Sequence, residues 1–296
     1  MNFCSVQEMA KKWGISERSV RNQCAAGRVD GAALIGRTWK IPADAEKPQS
    51  HRKGERRRTP LLERLQQEQA ARQTGGMYHC LQIELTYHSN RIEGSGLTQG
   101  QVGSIYETNS IGITEEPVAV DDVIEAVNHF QCIDRIIQRA SEPLTEEFIL
   151  ELHKILKTGT SDSRLDWFAV GAYKKVPNEV GGRDTTPPQE VPEAMEQLLT
   201  EYHSNREKQL EDLIDFHVRF EHIHPFQDGN GRVGRLILFK ECLRYGVVPF
   251  VIQDDLKMFY YRGLSQWGRE NGYLLDTCLA AQDRFKKYLQ YFGIPF

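Results

Sequence analysis

The sequence predicts a mainly α-helical protein in which a large helical body, with one short β-hairpin, follows a small N-terminal module. Apolar residues recur at helical spacing through most of residues 60–296, which is the pattern of helices with one buried face. The stretch 170–188 interrupts this pattern, because its glycines and prolines are incompatible with a helix. A hairpin pattern lies within it around Gly181 and Gly182. The third observation is a change in charge near residue 58.

Charge is distributed unevenly along the 296 residues. Residues 1–58 contain 13 Lys and Arg against 6 Asp and Glu, a net charge of +7, whereas the whole chain is −4 and the rest of it therefore carries −11. The stretch PQSHRKGERRR at the end of this basic part shows no apolar periodicity and is typical of a linker. We therefore predict a module of residues 1–48, a basic linker of residues 49–59 and a helical domain of residues 60–296.

Composition argues against several classes of protein. No apolar run approaches the ~18 residues that a membrane span needs, and lysines near the start of the chain occupy the place where a signal peptide requires apolar residues. The six cysteines are far apart and form no CxxC pair, which argues against a disulfide framework or a metal cage. We expect a soluble, cytoplasmic protein with reduced thiols and no membrane partner.

The N-terminal module is predicted to hold two short helices and a hairpin. Ser5 begins a capping box that starts the first helix, and Gly14 ends it. Ser16 caps the second helix, which runs from residue 17 to about residue 26. The strand patterns ALI and TWKIP then form a hairpin within residues 33–42.

This order of elements resembles the winged helix-turn-helix modules of the excisionase and MerR type. In such modules the second helix enters the major groove of duplex DNA, so the resemblance implies DNA as a partner of residues 1–48, read by Arg18, Arg21 and Asn22. The charge of +7 favours attraction to phosphates but carries no sequence readout. The alternative is that the helix is a solvated surface and that the module binds protein.

Ten helices are predicted in the body. Thr59 caps the first of them, and Pro60 occupies its first turn. The predicted spans are 60–73, 75–92, 98–106, 118–139, 145–157, 190–204, 206–222, 231–245, 254–269 and 271–291.

The chemically most informative segment, HPFQDGNGRVGR, spans residues 224–235. Pro225 disfavours helix at His224, so the preceding helix ends there, and the turn from Gly229 to Gly231 leads into the next helix. The amide N–H groups of such a turn, together with the helix dipole, attract an anion. The segment therefore predicts an anion site at a helix N-terminus.

Four side chains add chemistry to this anion site. Arg232 and Arg235 share a helix face, and each guanidinium is a rigid fork suited to phosphate. Asp228 supplies a hard oxygen ligand for Mg²⁺, and His224 is a base that is neutral near physiological pH. Together these residue types favour a polyphosphate site with a metal ligand and a proton acceptor. The alternatives are that His224 is a structural histidine and that the glycines form only a turn.

A different arrangement would use His217, His222 and His224 as three ligands of a metal ion. The five-residue spacing of the first two disfavours a shared face, and His217 belongs to an apolar stripe of its helix. We therefore expect His217 in the core.

The segment matches, position for position, the HPFx(D/E)GNGRxxR signature of the Fic family, and the resemblance extends over about residues 60–296. EAVN at 125–128, ELH at 151–153, GAYKKV and the prolines at 187–188 resemble the helical core and the flap of that family. The resemblance implies a compact helical bundle with a β-hairpin flap. It also implies a protein adenylyltransferase, which transfers AMP from ATP to Ser, Thr or Tyr hydroxyls of target proteins.

The resemblance also implies roles for the matching residues. His224 would deprotonate the target hydroxyl, which attacks the α-phosphate of ATP. Asp228 would hold Mg²⁺ between the α- and β-phosphates. Asn230, with the amides of Gly229 and Gly231, would cradle the α-phosphate.

The remaining roles concern the outer phosphates and the adenine. Arg232 would hold the outer phosphates, Arg235 the γ-phosphate, and Phe226 would pack inward as an anchor. Tyr260 and Tyr261 resemble the aromatic residues that flank the family's adenine pocket. Core packing is the alternative for both tyrosines.

The motif SNRIEG resembles the (S/T)xxxE(G/N) motif of the family's inhibitory helix, which here would span about residues 77–95. Ser89, Glu93 and Gly94 occupy the defining positions, and the Glu93 carboxylate would form a bidentate pair with Arg235. ATP would then bind only in a non-productive pose, and removal of Glu93 would allow transfer, including self-modification. The alternative is that Glu93 is a solvated residue at a helix end.

The flap, at about residues 173–184, would receive an extended segment of the target protein by strand addition. Two other functions stay open: removal of AMP from a modified protein, and regulation by a DNA-binding protein whose Fic-like body only senses nucleotide. The sequence also leaves open the identity of the target and whether the chain forms a homo-oligomer.

Overall fold

The computed structural model describes residues 3–14, 17–25, 29–36, 38–47, 59–112 and 117–296, apart from the side chains of Arg18, Ser19, Asn22, Ala25 and Arg183. The chain divides into two compact units, residues 1–56 and 57–296. The described apolar residues form one core cluster in the N-terminal unit and two in the larger unit, and no cluster combines residues of both.

The N-terminal unit combines two short helices with a three-stranded antiparallel sheet. The helices are α1 (Val6–Trp13) and α2 (Glu17–Ala25). The strands are β1 (Phe3–Cys4), β2 (Ala33–Ile35) and β3 (Thr38–Pro42), in the spatial order β1-β3-β2. The two helices and the β2–β3 hairpin lie where the sequence predicts them.

The predicted start and end of α1 are confirmed. The Ser5 hydroxyl accepts a hydrogen bond from the Glu8 N–H while the Glu8 carboxylate accepts one from the Ser5 N–H. Gly14 takes the left-handed conformation, with φ of 64°, which favours glycine after a helix. The sequence did not reveal β1, because a two-residue strand has no alternation to detect. Ser16, the predicted cap of α2, lies outside the described residues.

The larger unit is a bundle of helices with one small hairpin. In the part that the structure describes, its helices are α3 (Pro60–Ala71), α4 (Met77–Ile92), α5 (Gln99–Thr108), α6 (Val120–Gln138), α7 (Glu146–Lys157), α8 (Val191–Ser204), α9 (Leu210–Ile223), α10 (Asn230–Tyr245), α11 (Lys257–Gln266) and α12 (Gly272–Tyr291). The hairpin consists of β4 (Glu179–Val180) and β5 (Arg183–Asp184), which pair antiparallel. The predicted mainly α fold with one β-hairpin is confirmed.

The largest departures from the predicted helix boundaries have local causes. Helix α9 begins at Leu210 instead of residue 206, and the Gln209 N–H donates to the Asp212 carboxylate at 2.7 Å, which satisfies an end group that otherwise lacks a partner. Helix α11 begins at Lys257, because residues 254–256 form a 3₁₀ turn. Such tight turns are common beside α-helices and share their apolar spacing.

Helix α10 is the central element of the bundle. Every residue from Arg232 to Leu243 is buried, as in a helix with no solvated face, and α4, α6, α7 and α9 pack against it. The N-terminus of α10, which carries the predicted anion site, therefore lies among these helices.

No helix in the described ranges is long and apolar enough to cross a membrane. The six cysteines all have free thiols.

Candidate active site

His224 ends α9 and begins the loop that leads into α10. Its backbone is left-handed (φ 52°, ψ 60°), and its N–H donates to the carbonyl oxygen of Phe220 at 3.0 Å. Pro225 follows directly, and a proline restricts the residue before it away from the helical region. A left-handed conformation costs a residue with a side chain about 1–2 kcal/mol, so the contacts of the loop must hold His224 in place.

The imidazole of His224 is placed to accept a proton. Its Nδ1 lies 3.3 Å from the carbonyl oxygen of Glu221, so the hydrogen belongs on Nδ1 and the free lone pair on Nε2. Burial lowers the pKa of His224, the hydrogen bond to Glu221 raises it, and the nearby charge of Lys174 lowers it. The net result is a pKa of about 4. The ring is therefore neutral at pH 7, which is the state that a general base needs.

Asn230 fixes the loop between His224 and α10. Its side-chain oxygen accepts from the Phe226 N–H, and its amide group donates to the Phe226 carbonyl oxygen, each at 2.8 Å. The amide group of Asn230 has a second N–H, so the prediction that this side chain helps to cradle a phosphate stays a prediction. Backbone N–H groups lie beside it: Gly229 is left-handed, with φ of 83°, and the first amides of α10, including that of Gly231, have no acceptor within the helix.

Phe226 anchors the same loop in the core. Its side chain is fully buried and stacks on the His153 ring, with 3.9 Å between ring centroids and 5° between planes. His153 accepts a hydrogen bond from the Gly171 N–H at 3.0 Å, and burial lowers its pKa to about 3, so this ring is neutral too. The structure places Phe226 inward, as the resemblance implied.

Four charged side chains, Glu125, Lys157, Asp228 and Arg232, form a charge quartet beside this loop. Lys157 Nζ donates to Glu125 Oε1 and to Asp228 Oδ2, each at 2.6 Å. Arg232 donates to Asp228 Oδ2 at 2.9 Å and also to Glu125. Burial opposes ionisation of Asp228, but the two cations hold its pKa below the ordinary value.

No site role of Glu125 or Lys157 could be predicted from the sequence. Their partner Asp228 lies 103 and 71 positions further along the chain, so no local spacing joins them. The only signal was that EAVN resembles part of the family's helical core, which pointed to the segment but not to this contact.

Asp228 is the residue that could hold a divalent cation. Among the described residues, no three His, Cys, Asp or Glu side chains cluster in a way that could bind a metal ion, which also removes the arrangement of His217, His222 and His224. The Asp228 side chain is 45% exposed, and both cations of the charge quartet contact its Oδ2. A single accessible carboxylate fits Mg²⁺, which protein binds through one or two carboxylates while phosphates and waters supply its other ligands.

Glu93 contacts Arg235 near the start of α10. Arg235 Nη2 donates to Glu93 Oε1 at 2.7 Å, and the same guanidinium donates to the hydroxyl and carbonyl oxygens of Ser89 at 3.0 and 2.8 Å. Glu93 thus accepts one hydrogen bond instead of the expected two, while Ser89 accepts from Nε and from Nη2 of the same guanidinium. Glu93 caps α4 and is followed by left-handed Gly94, with φ of 103°.

The predicted adenine-pocket tyrosines differ in environment. Tyr260 is only 1% exposed, and its hydroxyl lies 2.7 Å from Nε2 of buried His217, so the core-packing alternative describes it. Tyr261 is 40% exposed and donates to the Ile92 carbonyl oxygen at 3.3 Å. Beside His217, burial raises the pKa of Glu221 to about 8.

The hairpin β4–β5 is tied to the loop after His224. The Lys174 N–H donates to the Pro225 carbonyl oxygen at 2.9 Å, and the Asn178 amide donates to the Phe226 carbonyl oxygen at 3.0 Å. Lys174 Nζ then donates to Asn178 Oδ1 at 2.7 Å, and burial lowers the pKa of Lys174 to about 8. The predicted flap thus shares backbone contacts with the loop that carries the base.

In the N-terminal unit, Arg21 is the one predicted DNA contact whose side chain the structure describes. It is exposed and forms an ion pair with exposed Glu17 at 2.8 Å. The side chains of Arg18 and Asn22 lie outside the described part of the structure. DNA binding by these residues stays a prediction.

Known proteins resemble the part of the chain that holds this site. Residues 143–241 match the Fic/DOC family. The matched residues include the whole of the HPFQDGNGRVGR segment. A relative named protein adenylyltransferase Fic from Nematostella vectensis is 29% identical over 193 residues, which cover 61% of this chain and 42% of that protein. The protein of the same name from Drosophila melanogaster is 29% identical over 187 residues, 60% of this chain and 36% of that protein. The chain thus spans less than half the length of these relatives.

Solved structures resemble the same helical bundle. A Fic domain containing signaling protein from Bacteroides thetaiotaomicron is 28% identical, with a TM-score of 0.58, over 78% of this chain and 90% of that chain. A Fic family protein from Desulfovibrio desulfuricans is 25% identical, with a TM-score of 0.57, over 81% and 77% of the two chains. The helical bundle therefore has the Fic fold.

Proposed function

We propose that this protein transfers AMP from ATP to hydroxyl side chains of target proteins and that Glu93 inhibits the transfer. The observation that carries the proposal is a neutral, partly buried His224 in the loop that leads into α10, with Asp228 in the same loop and Arg235 near the start of the helix. Relatives named protein adenylyltransferase Fic support the same chemistry.

In the proposed reaction, Nε2 of His224 removes the proton of the target hydroxyl. The hydroxyl oxygen bonds to the α-phosphorus, the bond from that phosphorus to the bridging oxygen of the β-phosphate breaks, and pyrophosphate leaves. Amides at the start of α10 bind the oxygens on which negative charge develops. A bound Mg²⁺ would neutralise negative charge of the phosphates, and Asp228 is the residue that would hold it.

Target docking at the hairpin is part of this proposal. The strands β4 and β5 are short, and Val180 is 46% exposed, so an extended segment of a target can pair with an open strand edge. Because Lys174 and Asn178 join this hairpin to the loop of His224, a docked hydroxyl is registered against the base.

The inhibition follows from the geometry of Arg235. Its guanidinium is buried, and Glu93 and Ser89 accept hydrogen bonds from its Nε and Nη2. A γ-phosphate would have to displace Glu93 to reach this arginine. We therefore expect ATP to bind the parent protein in a pose that does not present the α-phosphate to His224.

Labelled ATP tests the proposed reaction. The Glu93→Gly variant, incubated with a cell lysate and ATP labelled at the α-phosphate, should yield labelled protein, whereas label at the γ-phosphate should stay in solution. Adding His224→Ala should reduce labelling by ~10²–10⁴, the usual effect of removing a general base, while ATP binding measured by calorimetry persists. Undiminished labelling in the double variant would disprove the role of His224.

A second candidate, removal of AMP from a modified protein, is favoured by one observation. The Glu93 side chain is 31% exposed beside Arg235, so its carboxylate could position a water for hydrolysis. The parent protein, incubated with an AMP-modified target from the Glu93→Gly reaction, would then release AMP. Absence of release would leave Glu93 with an inhibitory role alone.

Binding of duplex DNA by the N-terminal unit is a further part of the proposal. It rests on the +7 charge of residues 1–58 and on exposed Arg21 in α2. Binding of the full chain to genomic fragments should weaken with salt, and Arg21→Ala should weaken it without altering ATP chemistry. No binding at low salt would favour a protein-docking module.

A further inference from the structure

Lys157 is a buried cation for which the sequence predicts no role. It is the last residue of α7 and is 2% exposed. Its ammonium donates to Oε1 of Glu125 and to Oδ2 of Asp228 at 2.6 Å each, and Oδ2 of Asp162 lies 3.9 Å away. Burial of an ammonium is unfavourable unless it is paired and hydrogen-bonded, so these carboxylates hold it here.

We propose that Lys157 is a positioning residue, which holds Oδ2 of Asp228 so that the other oxygen, Oδ1, faces the divalent cation that enters with ATP. This inference rests on the proposed function, and it concerns the ligand of the cation instead of the base. Groups that hydrogen-bond a metal ligand from outside set its orientation, and their loss typically weakens metal binding by 10–100-fold.

The contacts of Asp228 support this assignment. Both cations of the charge quartet donate to Oδ2, Lys157 at 2.6 Å and Arg232 at 2.9 Å. The Asp228 side chain nevertheless stays 45% exposed. The described side chains that donate to Asp228 thus both reach Oδ2, which leaves Oδ1 for a cation that also binds phosphate oxygens.

Arg232 explains why Asp228 needs a second partner. Its Nε is buried without a hydrogen-bond partner among the described residues, while Nη2 contacts Asp228. A guanidinium readily binds both oxygens of one carboxylate through two parallel hydrogen bonds. Without Lys157, Asp228 could form this two-point pair with Arg232, and both of its oxygens would turn away from the cation.

A pure charge effect predicts the opposite result. If the ammonium of Lys157 only repelled a divalent cation, its removal would strengthen metal binding. The sign of the change in affinity therefore separates positioning from repulsion.

The test measures Mn²⁺ binding by electron paramagnetic resonance, with ATP present, in the full chain carrying Glu93→Gly and His224→Ala, so that Glu93 does not block ATP and no transfer occurs. Lys157→Met should raise the Mn²⁺ dissociation constant about 10–100-fold. Lys154→Met is the matched control, because it removes the same charge from an exposed position of α7, and it should bind Mn²⁺ as the parent does. Unchanged or tighter binding in Lys157→Met would overturn the proposal.

Thermal unfolding shows whether Lys157→Met is folded. If Lys157→Met does not fold, Lys157→Arg, which keeps a buried hydrogen-bond donor, replaces it as the test variant. Parental Mn²⁺ affinity in Lys157→Arg supports positioning, whereas affinity as weak as that of Asp228→Asn overturns it. Failure of the proposed function would appear separately, as absence of AMP transfer by Glu93→Gly. Transfer by Glu93→Gly together with unaltered Mn²⁺ binding in Lys157→Met would reject this inference alone.

Discussion

At the scale of single residues, Gly231 shows how closely the Glu93 carboxylate approaches the start of α10. A Cβ at this position would lie 2.2 Å from Glu93 Oε1 and 2.8 Å from Arg235 Nη1, which is closer than atoms can pack. The absence of a side chain at Gly231 is therefore a condition for the contact between Glu93 and Arg235.

The Gly231→Ala substitution should weaken inhibition. The added methyl group must displace the Glu93 carboxylate, so Glu93→Gly should raise AMP transfer by a smaller factor in the Gly231→Ala background than in the parent. Gly234→Ala is the control, because its methyl group would meet Glu221 and His217 instead of Glu93. If Glu93→Gly raised transfer by the same factor in the parent and in the Gly231→Ala background, Glu93 would not need the space at Gly231.

The pH dependence of transfer should reflect the lowered pKa of His224. A base is active when unprotonated, and a pKa of about 4 leaves His224 neutral at pH 5.5 and above. The turnover number of Glu93→Gly at saturating ATP should therefore change little between pH 5.5 and 7.5. A fall through about pH 6.5, the value of an unperturbed histidine, would contradict the burial-driven shift.

Residues within the 224–235 segment could be located from sequence because their spacing is local. Asp228 and Arg232 lie one helical turn apart, and the structure joins them at 2.9 Å. Lys157 and Glu125 could not be located in this way, because only the packing of α6 and α7 against α10 brings them to Asp228. The hydrogen bonds of the Asn230 side chain to Phe226 could not be predicted either, because spacing does not show which polar groups the loop itself uses.

At the scale of elements, caps made the helix boundaries predictable. Thr59 accepts a hydrogen bond from the Leu62 N–H, and α3 begins at Pro60 as its sequence indicates. The start of α9 was placed too early, because Gln209 is not a residue type that usually marks a helix start. The strand β1 pairs with β3, 37 or more residues away, and this distant pairing left no sequence signal.

The contacts of Asn178 should control how a target is presented to the base. Asn178→Ala removes the hydrogen bonds to the Phe226 carbonyl oxygen and from Lys174, so the hairpin loses part of its register. In the Glu93→Gly background we expect a raised KM for a target protein and nearly unchanged ATP affinity. Asn205→Ala, in the loop after α8, serves as control, and equal KM values for the two variants would argue against hairpin docking.

At the scale of the whole molecule, the two units have separate cores. The core residues of the N-terminal unit run from Val6 to Ile41, and those of the larger unit from Leu61 to Ile294. Because each core is complete in its own unit, the division at the basic segment has a physical basis.

A fragment of residues 59–296 should therefore fold and retain the nucleotide chemistry. Carrying Glu93→Gly, it should transfer AMP at a rate close to that of the full-length variant and show a single cooperative thermal transition. Loss of the transition, with transfer abolished, would mean that the N-terminal unit stabilises the larger one.

The central claim is that Glu93 restrains an otherwise complete transfer site through Arg235. The most direct measurement is the initial rate of α-phosphate label incorporation into protein by the parent, Glu93→Gly and Glu93→Gly with Arg235→Ala, under identical Mg²⁺ and ATP. We predict a low rate for the parent, a clear increase for Glu93→Gly and loss of that increase in the double variant. Equal rates for the parent and Glu93→Gly, or an increased rate that persists after Arg235→Ala, would show that Glu93 does not act through Arg235.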